Sequence, residues 1–194
     1  ILIPTDFSQF PFQTEPSIAV DPKDPDHILL GLIDYNFPNM VTYSSIDGGE
    51  TWEGPHQAKY PRSDLAAAGD PIVAFDSNGD AYYAFISLDI AEFTIGPILG
   101  STVVSSISVA TSSDGGFTWA DAVQTHQSTL ATRPLPTLDD GRTRGEIEFG
   151  FLDKPWMTIG PHPTEPDKDV IYVTYTRFVT ILPVFFLFEV EAFV

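Results

Sequence analysis

Short apolar runs alternate with polar turns along the chain, and three of them open in the same way. Glu15-Pro16-Ser17-Ile18-Ala19-Val20-Asp21 matches Asp70-Pro71-Ile72-Val73-Ala74-Phe75-Asp76, and Asp153-Lys154-Pro155-Trp156-Met157-Thr158-Ile159 is a looser third copy. Each begins with an acid, places a proline next or next but one, and runs into a short apolar stretch. Such runs, bounded by turn residues, predict β-strands. Proline is tolerated at the first residue of a strand, where no ladder hydrogen bond is lost. A turn follows each run, at 22–27, at Ser77-Asn78-Gly79 and at 160–169. Asn-Gly is a strong hairpin signal. Second strands are then predicted at Ile28–Ile33, Ala81–Ser87 and Val170–Tyr175.

A second repeat lies beyond these strand pairs. Ser45-Ile46-Asp47-Gly48-Gly49-Glu50-Thr51-Trp52 recurs as Ser112-Ser113-Asp114-Gly115-Gly116-Phe117-Thr118-Trp119, giving the shared box S-x-D-G-G-x-T-W. Its residue types suit a tight turn between strands. The Asp carboxylate can accept hydrogen bonds from backbone N–H groups just ahead of it. The glycines permit positive φ. Thr suits the strand that follows, and Trp brings a large flat surface to bury.

One unit therefore reads strand, turn, strand, loop, strand, box turn, strand. Glu15 and Asp70 are 55 positions apart, whereas Asp47 and Asp114 are 67 apart. The extra residues fall between the second and third strands of the second unit, and 89–104, with Gly96, Pro97 and Gly100, reads as an insertion. The stretch 124–148 is polar, carries Pro134, Pro136 and Gly141, and reads as a long loop. The third unit reaches its second strand, and Phe186–Val190 is a candidate third strand. No third box follows in these residues.

The box resembles the Asp-box, or bacterial neuraminidase repeat, of sialidase-like β-propellers. In that family it is a hairpin on the outer rim of a blade, away from the central face where substrates bind. The resemblance implies an all-β fold, a β-propeller of four-stranded antiparallel blades. About two and a half blades of an incomplete propeller would lie here as one partial domain over 1–194. Blade 1 covers about 15–57, blade 2 about 70–124 and a partial blade 3 about 153–194. The box residues Ser45, Asp47, Gly49, Thr51, Trp52, Ser112, Asp114, Gly116, Thr118 and Trp119 take structural roles, with both indoles mostly buried in equivalent positions. Aromatics such as Tyr82, Tyr83 and Phe149 to Phe151 are expected in packing between blades.

Charge and composition narrow the partners. Asp and Glu outnumber Lys and Arg by 27 to 9, for a net charge of -18. Such a field repels nucleic acid and anionic membranes. With no cysteine, disulfides and thiolate metal sites are excluded. The chain opens without a basic leader or initiating Met and reads as a mature, exported product, extracellular or at the cell surface. The apolar run 178–188 contains Pro183 and is too short for a membrane span, so a buried strand pair is expected there.

The candidate chemistry is sparse. Sialidases use a tyrosine nucleophile, and the resemblance further implies three arginines, a glutamate and an acid/base aspartate. The first arginine of that family stands in an Arg-Ile-Pro motif on the first inner strand, where this sequence has Glu15-Pro16-Ser17-Ile18. Arg62, Arg133, Arg142, Arg144 and Arg177 sit in no motif, and a nucleophilic tyrosine would be expected beyond Val194. Asp76-Ser77-Asn78-Gly79-Asp80 loosely resembles a calcium loop but reads better as a turn. His27, His56, His126 and His162 show no metal-ligand spacing and read as solvent-exposed or loop residues. Glu15, Asp70 and Asp153, as equivalent positions, are expected to converge on a central channel. There they either recruit a cation such as Ca2+ or accept backbone hydrogen bonds from the adjacent blade; no cofactor is required. Two readings of function follow. One is an exported binding or scaffold module for a glycan or protein, with further subunits as partners. The alternative is a sialidase-like glycoside hydrolase with much of its active site outside this stretch.

Overall fold

A computed structural model describes residues 9, 12–37, 40–95 and 98–186. The described residues form eleven β-strands and no helix. They are β1 Gln13–Val20, β2 Ile28–Asp34, β3 Val41–Ser45, β4 Glu53–His56, β5 Ala66–Phe75, β6 Ala81–Ile95, β7 Ile98–Ser112, β8 Val123–Gln127, β9 Leu130–Leu135, β10 Thr143–Pro161 and β11 Asp169–Phe186. Two antiparallel sheets have four strands in sequence order, β1-β2-β3-β4 and β5-β6-β7-β8. The third has the order β11-β10-β9.

The three repeat openings, β1, β5 and β10, share one backbone device. The register of β1 on β2 shifts between Thr14 and Ser17, that of β5 on β6 between Gly69 and Ile72, and that of β10 on β11 between Asp153 and Trp156. Inside each irregularity sits a non-glycine residue of positive φ followed by proline: Glu15 (φ 54), Asp70 (φ 54) and Lys154 (φ 50). A bulge leaves one residue out of the ladder, so the proline, which has no N–H to give, costs no hydrogen bond there. The third equivalent residue is therefore Lys154, one position beyond the Asp153 that the sequence pattern suggested.

The sheets stack face against face through side chains that alternate along the strands. Leu29, Val73, Tyr83 and Phe85 form the buried contact between the first and second sheets, with Trp119 packed against it. Ala84, Val109 and Met157 do the same between the second and third, with Ile72 and Val173 alongside.

The insertion expected at 89–104 takes the form of a hairpin arm: β6 and β7 continue through 89–95 and 98–104, paired from Ala81↔Ser112 out to Ile95↔Ile98. One segment differs from expectation, since 124–148 is not a structureless excursion. It completes β8, forms β9 and starts β10, with Arg144↔Leu135 to Phe149↔Leu130 in register. These two elaborations meet. Ile95 and Ile147 are buried together with Phe93, Leu130 and Phe149 against them, and the Phe93 and Phe149 rings lie 6.4 Å apart, edge to face. Each arm alone would expose an apolar face, and pairing them removes it from water.

The apolar run after Phe178 is also corrected. It continues β11 as a single strand, and Phe178, Val179, Ile181 and Leu182 are exposed. Of the candidate strand Phe186–Val190, all but Phe186 lies outside the described residues.

Candidate functional site

Glu15, Asp70 and Lys154 come together where β1, β5 and β10 run side by side. The contacts form a directional series. The Asp70 N–H donates to Glu15 Oε2 at 2.9 Å, and the Lys154 N–H donates to Asp70 Oδ2 at 2.9 Å. Lys154 then folds its ammonium back, with Nζ 2.7 Å from Asp70 Oδ1 and 3.8 Å from Glu15 Oε1. A parallel bond follows two residues on, from the Val73 N–H to Ser17 Oγ at 3.2 Å. The bulge N–H groups of Asp70 and Lys154 are thus each satisfied by the preceding sheet.

Electrostatics follow from this placement. Burial pushes the Asp70 carboxyl up, but hydrogen bonds from Lys154 outweigh it and hold the group below the ordinary carboxylate range. Asp153, beside it, goes the other way: burial first, then the neighbouring Asp70, raise it. The pair is the arrangement in which one carboxyl stays ionised at its neighbour's expense. Lys154 is raised by its bond to Asp70. The charge that balances the converging acids is therefore this lysine. Among the described residues no group of three or more His, Asp or Glu side chains could hold a metal ion.

Around these residues lies a groove of about 660 Å³, walled by Pro16, Ile18, Pro71 and Pro155 with Glu15, Asp70 and Lys154 at its polar side. No arginine lines it. Arg133 pairs with Glu146, Arg142 with Asp140, Arg177 with Glu148 and Arg62 with Asp121, while Arg144 donates to the Pro136 carbonyl. All five are engaged elsewhere.

The two boxes form matching turns after β3 and β7. In the first, Ser45 Oγ donates to Asp47 Oδ1 at 2.8 Å and accepts the Gly49 N–H at 2.9 Å, while the Thr51 N–H donates to Asp47 Oδ1 at 2.8 Å. In the second, the same bonds join Ser112 to Asp114 (2.6 Å), Gly116 to Ser112 (2.8 Å) and Thr118 to Asp114 (2.8 Å). The threonine hydroxyls bond the second carboxylate oxygen in both. The glycines take φ 70 and 89 in one box, 74 and 96 in the other. The Thr51 bonds, then that from Ser45, lower the Asp47 carboxyl to about 2. Burial would raise Asp114, but the bonds from Ser112 and Thr118 prevail and lower it.

The chain has no significant match among family models, curated proteins or solved structures. What it offers for comparison is its own repeats.

Those repeats are not identical in setting. Both indoles are mostly buried, as expected, but their partners differ. Trp52 Nε1 donates to Gly49 O within its own box at 3.2 Å, whereas Trp119 Nε1 donates to Thr42 Oγ1 of the first sheet at 2.9 Å. The second box is seated on that sheet: Gly115 O is 3.0 Å from His27 Nε2 and 3.4 Å from Ser44 Oγ.

Sequence reasoning missed two features here. His27, read as a loop histidine, is nearly buried, with Nδ1 3.3 Å from Asp21 Oδ2 and Nε2 on the Gly115 carbonyl. A lone histidine in a turn carries no signal for a partner 88 residues away. The other is a buried polar knot around Asp64, which accepts from Ser87 and from Gln124 Nε2 at 3.1 Å, with Ser87 Oγ 2.7 Å from Ser108 Oγ. Its only trace in the sequence is the serine-rich third strand of the second unit, Ser105-Ser106-Ile107-Ser108. The turn at Asp76 is as expected. Asp76 Oδ1 accepts the N–H groups of Asn78 (2.8 Å) and Asp80 (3.0 Å), and Oδ2 accepts from the Tyr82 hydroxyl, so both oxygens are engaged within the fold.

Proposed function

We propose that the three sheets are successive blades of an Asp-box β-propeller, and that this propeller is an exported module which binds a glycan in the groove between its inner strands. The blade reading is supported by the common bulge at Glu15, Asp70 and Lys154 and by the matched boxes. One observation carries the binding reading. Glu15 and Lys154 place a half-exposed carboxylate and a mostly exposed ammonium at the mouth of a trough walled by prolines. A carboxylate accepts and an ammonium donates, so together they suit vicinal hydroxyls, while the proline rings offer apolar area to the C–H face of a sugar. The same observation weighs against the sialidase-like alternative. Sialic acid is an anion, and two acids face the groove with no arginine beside them.

The test is a glycan microarray followed by calorimetry on neutral and sialylated hits. Binding of neutral glycans, weakened about tenfold or more in Lys154→Ala by loss of a charged hydrogen bond, is expected. A preference for sialylated glycans, or binding untouched by Lys154→Ala, overturns the reading. Absence of any glycan binding leaves protein recognition as the function of the module.

A further inference from the structure

The second box does more than turn the chain: it fills a seat on the first sheet. A Cβ added at Gly116 would lie 2.6 Å from Leu29 Cδ1 and 3.2 Å from Ser44 Oγ. One added at Gly115 would lie 2.0 Å from His27 Cε1. Trp119 reaches over to Thr42 and stands 5.5 Å from the Tyr83 ring. The seat therefore has two parts. His27, Leu29 and Ser44 receive the glycines, and Thr42 with Tyr83 receives the indole.

Strand registers locate the same seat one sheet further on. Ile28 pairs with Ser45 in the first sheet as Ala81 pairs with Ser112 in the second. His27, Leu29 and Ser44 thus correspond to Asp80, Tyr82 and Thr111. These three line an open groove of about 460 Å³. The inner strands set the third sheet in frame, since Phe75 pairs with Ala81 and Ile159 with Ile171, five residues beyond Asp70 and Lys154 respectively. Thr42 and Tyr83 thus correspond to Val109 and Val173. Those two line a second open groove, of about 400 Å³, with Ile171 and Tyr175. Both halves of the seat recur, and both are open. Among the described residues the outer edge of β11 is unpaired as well, because β11 is the end strand of its sheet where β2 and β6 are followed by β3 and β7.

We propose that these two grooves and the free edge of β11 form one docking surface for a third strand–box–strand hairpin. Its first strand pairs with β11, its two glycines lie over Tyr82, and its indole enters between Val109 and Val173. The occupant is polypeptide outside these 194 residues, because the sequence holds the box twice and both copies are already placed. The second groove has Val109 where Thr42 stands in the first sheet, so the hydrogen bond that Trp119 gives Thr42 has no counterpart at that position. An ordinary edge-seeking strand would not require the glycines: anything bulkier than glycine is shut out by the close approach seen at Gly116.

The test uses the full 194-residue chain, isotopically labelled, and a synthetic peptide of residues 106–127 whose box turn has first been verified by NMR. Expected are saturable amide shifts at Tyr82, Thr111, Val173 and the β11 edge. They should be lost with a Gly116→Val peptide and in a Thr111→Arg chain, where an exposed residue is enlarged to block the groove. Three outcomes overturn the proposal: no shifts at saturating peptide, equal binding of the Gly116→Val peptide, or shifts spread over β4 and β8 that mark indiscriminate edge pairing.

Discussion

Lys154 engages Asp70 twice, once through its backbone N–H and once through its ammonium, and both bonds end on the two oxygens of one carboxylate. The two contributions can be separated. Asp70→Ala leaves the Lys154 N–H without its acceptor and is expected to cost about 1–3 kcal/mol in chemical denaturation. Asp70→Asn retains a carbonyl oxygen for that N–H and should cost less. Lys154→Met removes only a solvent-screened ion pair, expected at below about 1 kcal/mol. If Lys154→Met proves the most damaging of the three, the bulge bond is not what joins these strands.

The first glycines of the two boxes have nearly the same backbone and different neighbours. Gly48 has φ 70 with Asp26 Oδ1 3.3 Å from an added Cβ, whereas Gly115 has φ 74 with the His27 ring at 2.0 Å. Alanine at either incurs the left-handed penalty, roughly 1–2 kcal/mol. Gly115→Ala must also displace His27, so its melting temperature should fall well below that of Gly48→Ala. Equal losses would mean the second box is not wedged against the first sheet.

Acid should loosen the first box only as the pH approaches 2. Asp47 is held at about 2 against an ordinary 3.8, so between those values the folded chain binds fewer protons than the unfolded one. Stability from this carboxylate is then present above pH 3.8 and lost as the pH falls toward 2. Carboxyl-carbon NMR should show Asp47 titrating near 2, and Asp47→Asn should remove that step. A midpoint at 3.8 would contradict the observed bonds from Thr51.

A double-mutant cycle tests the bond between sheets. Trp119→Phe and Thr42→Val each remove one side of a 2.9 Å hydrogen bond, and their coupling is expected at about 0.5–1.5 kcal/mol. Trp52→Phe combined with Thr42→Val should be additive, since Trp52 bonds within its own turn. Coupling in the second pair and none in the first would reverse the assignment.

Much of the architecture is legible in the residues because its signals are local. Asn78-Gly79 marks a turn, the box glycines mark positive φ, and proline after an acid marks the start of an inner strand. The site was read one residue out of frame. Acids alone align Asp153 with Glu15 and Asp70, whereas the proline spacing, Pro16, Pro71 and Pro155, selects Lys154. In all three strands the positive-φ bulge residue is the one before proline, so the proline position locates it better than a match in charge. The arms were missed for another reason. Ala91-Glu92-Phe93-Thr94-Ile95 and Glu146-Ile147-Glu148-Phe149 do alternate as half-buried strands, but the partner that buries each apolar side, with Ile95 and Ile147 52 positions apart, is not a local signal.

Three hydrogen bonds between inner strands point one way along the chain. Glu15 accepts from Asp70, Ser17 from Val73, and Asp70 from Lys154. In every case the acceptor precedes the donor, by 55, 56 and 84 residues. A chain made from its N-terminus therefore presents each acceptor before the strand that needs it has been synthesised. No inner strand has to wait for a later one to satisfy its bulge, so the sheets can be laid down in the order in which they are translated.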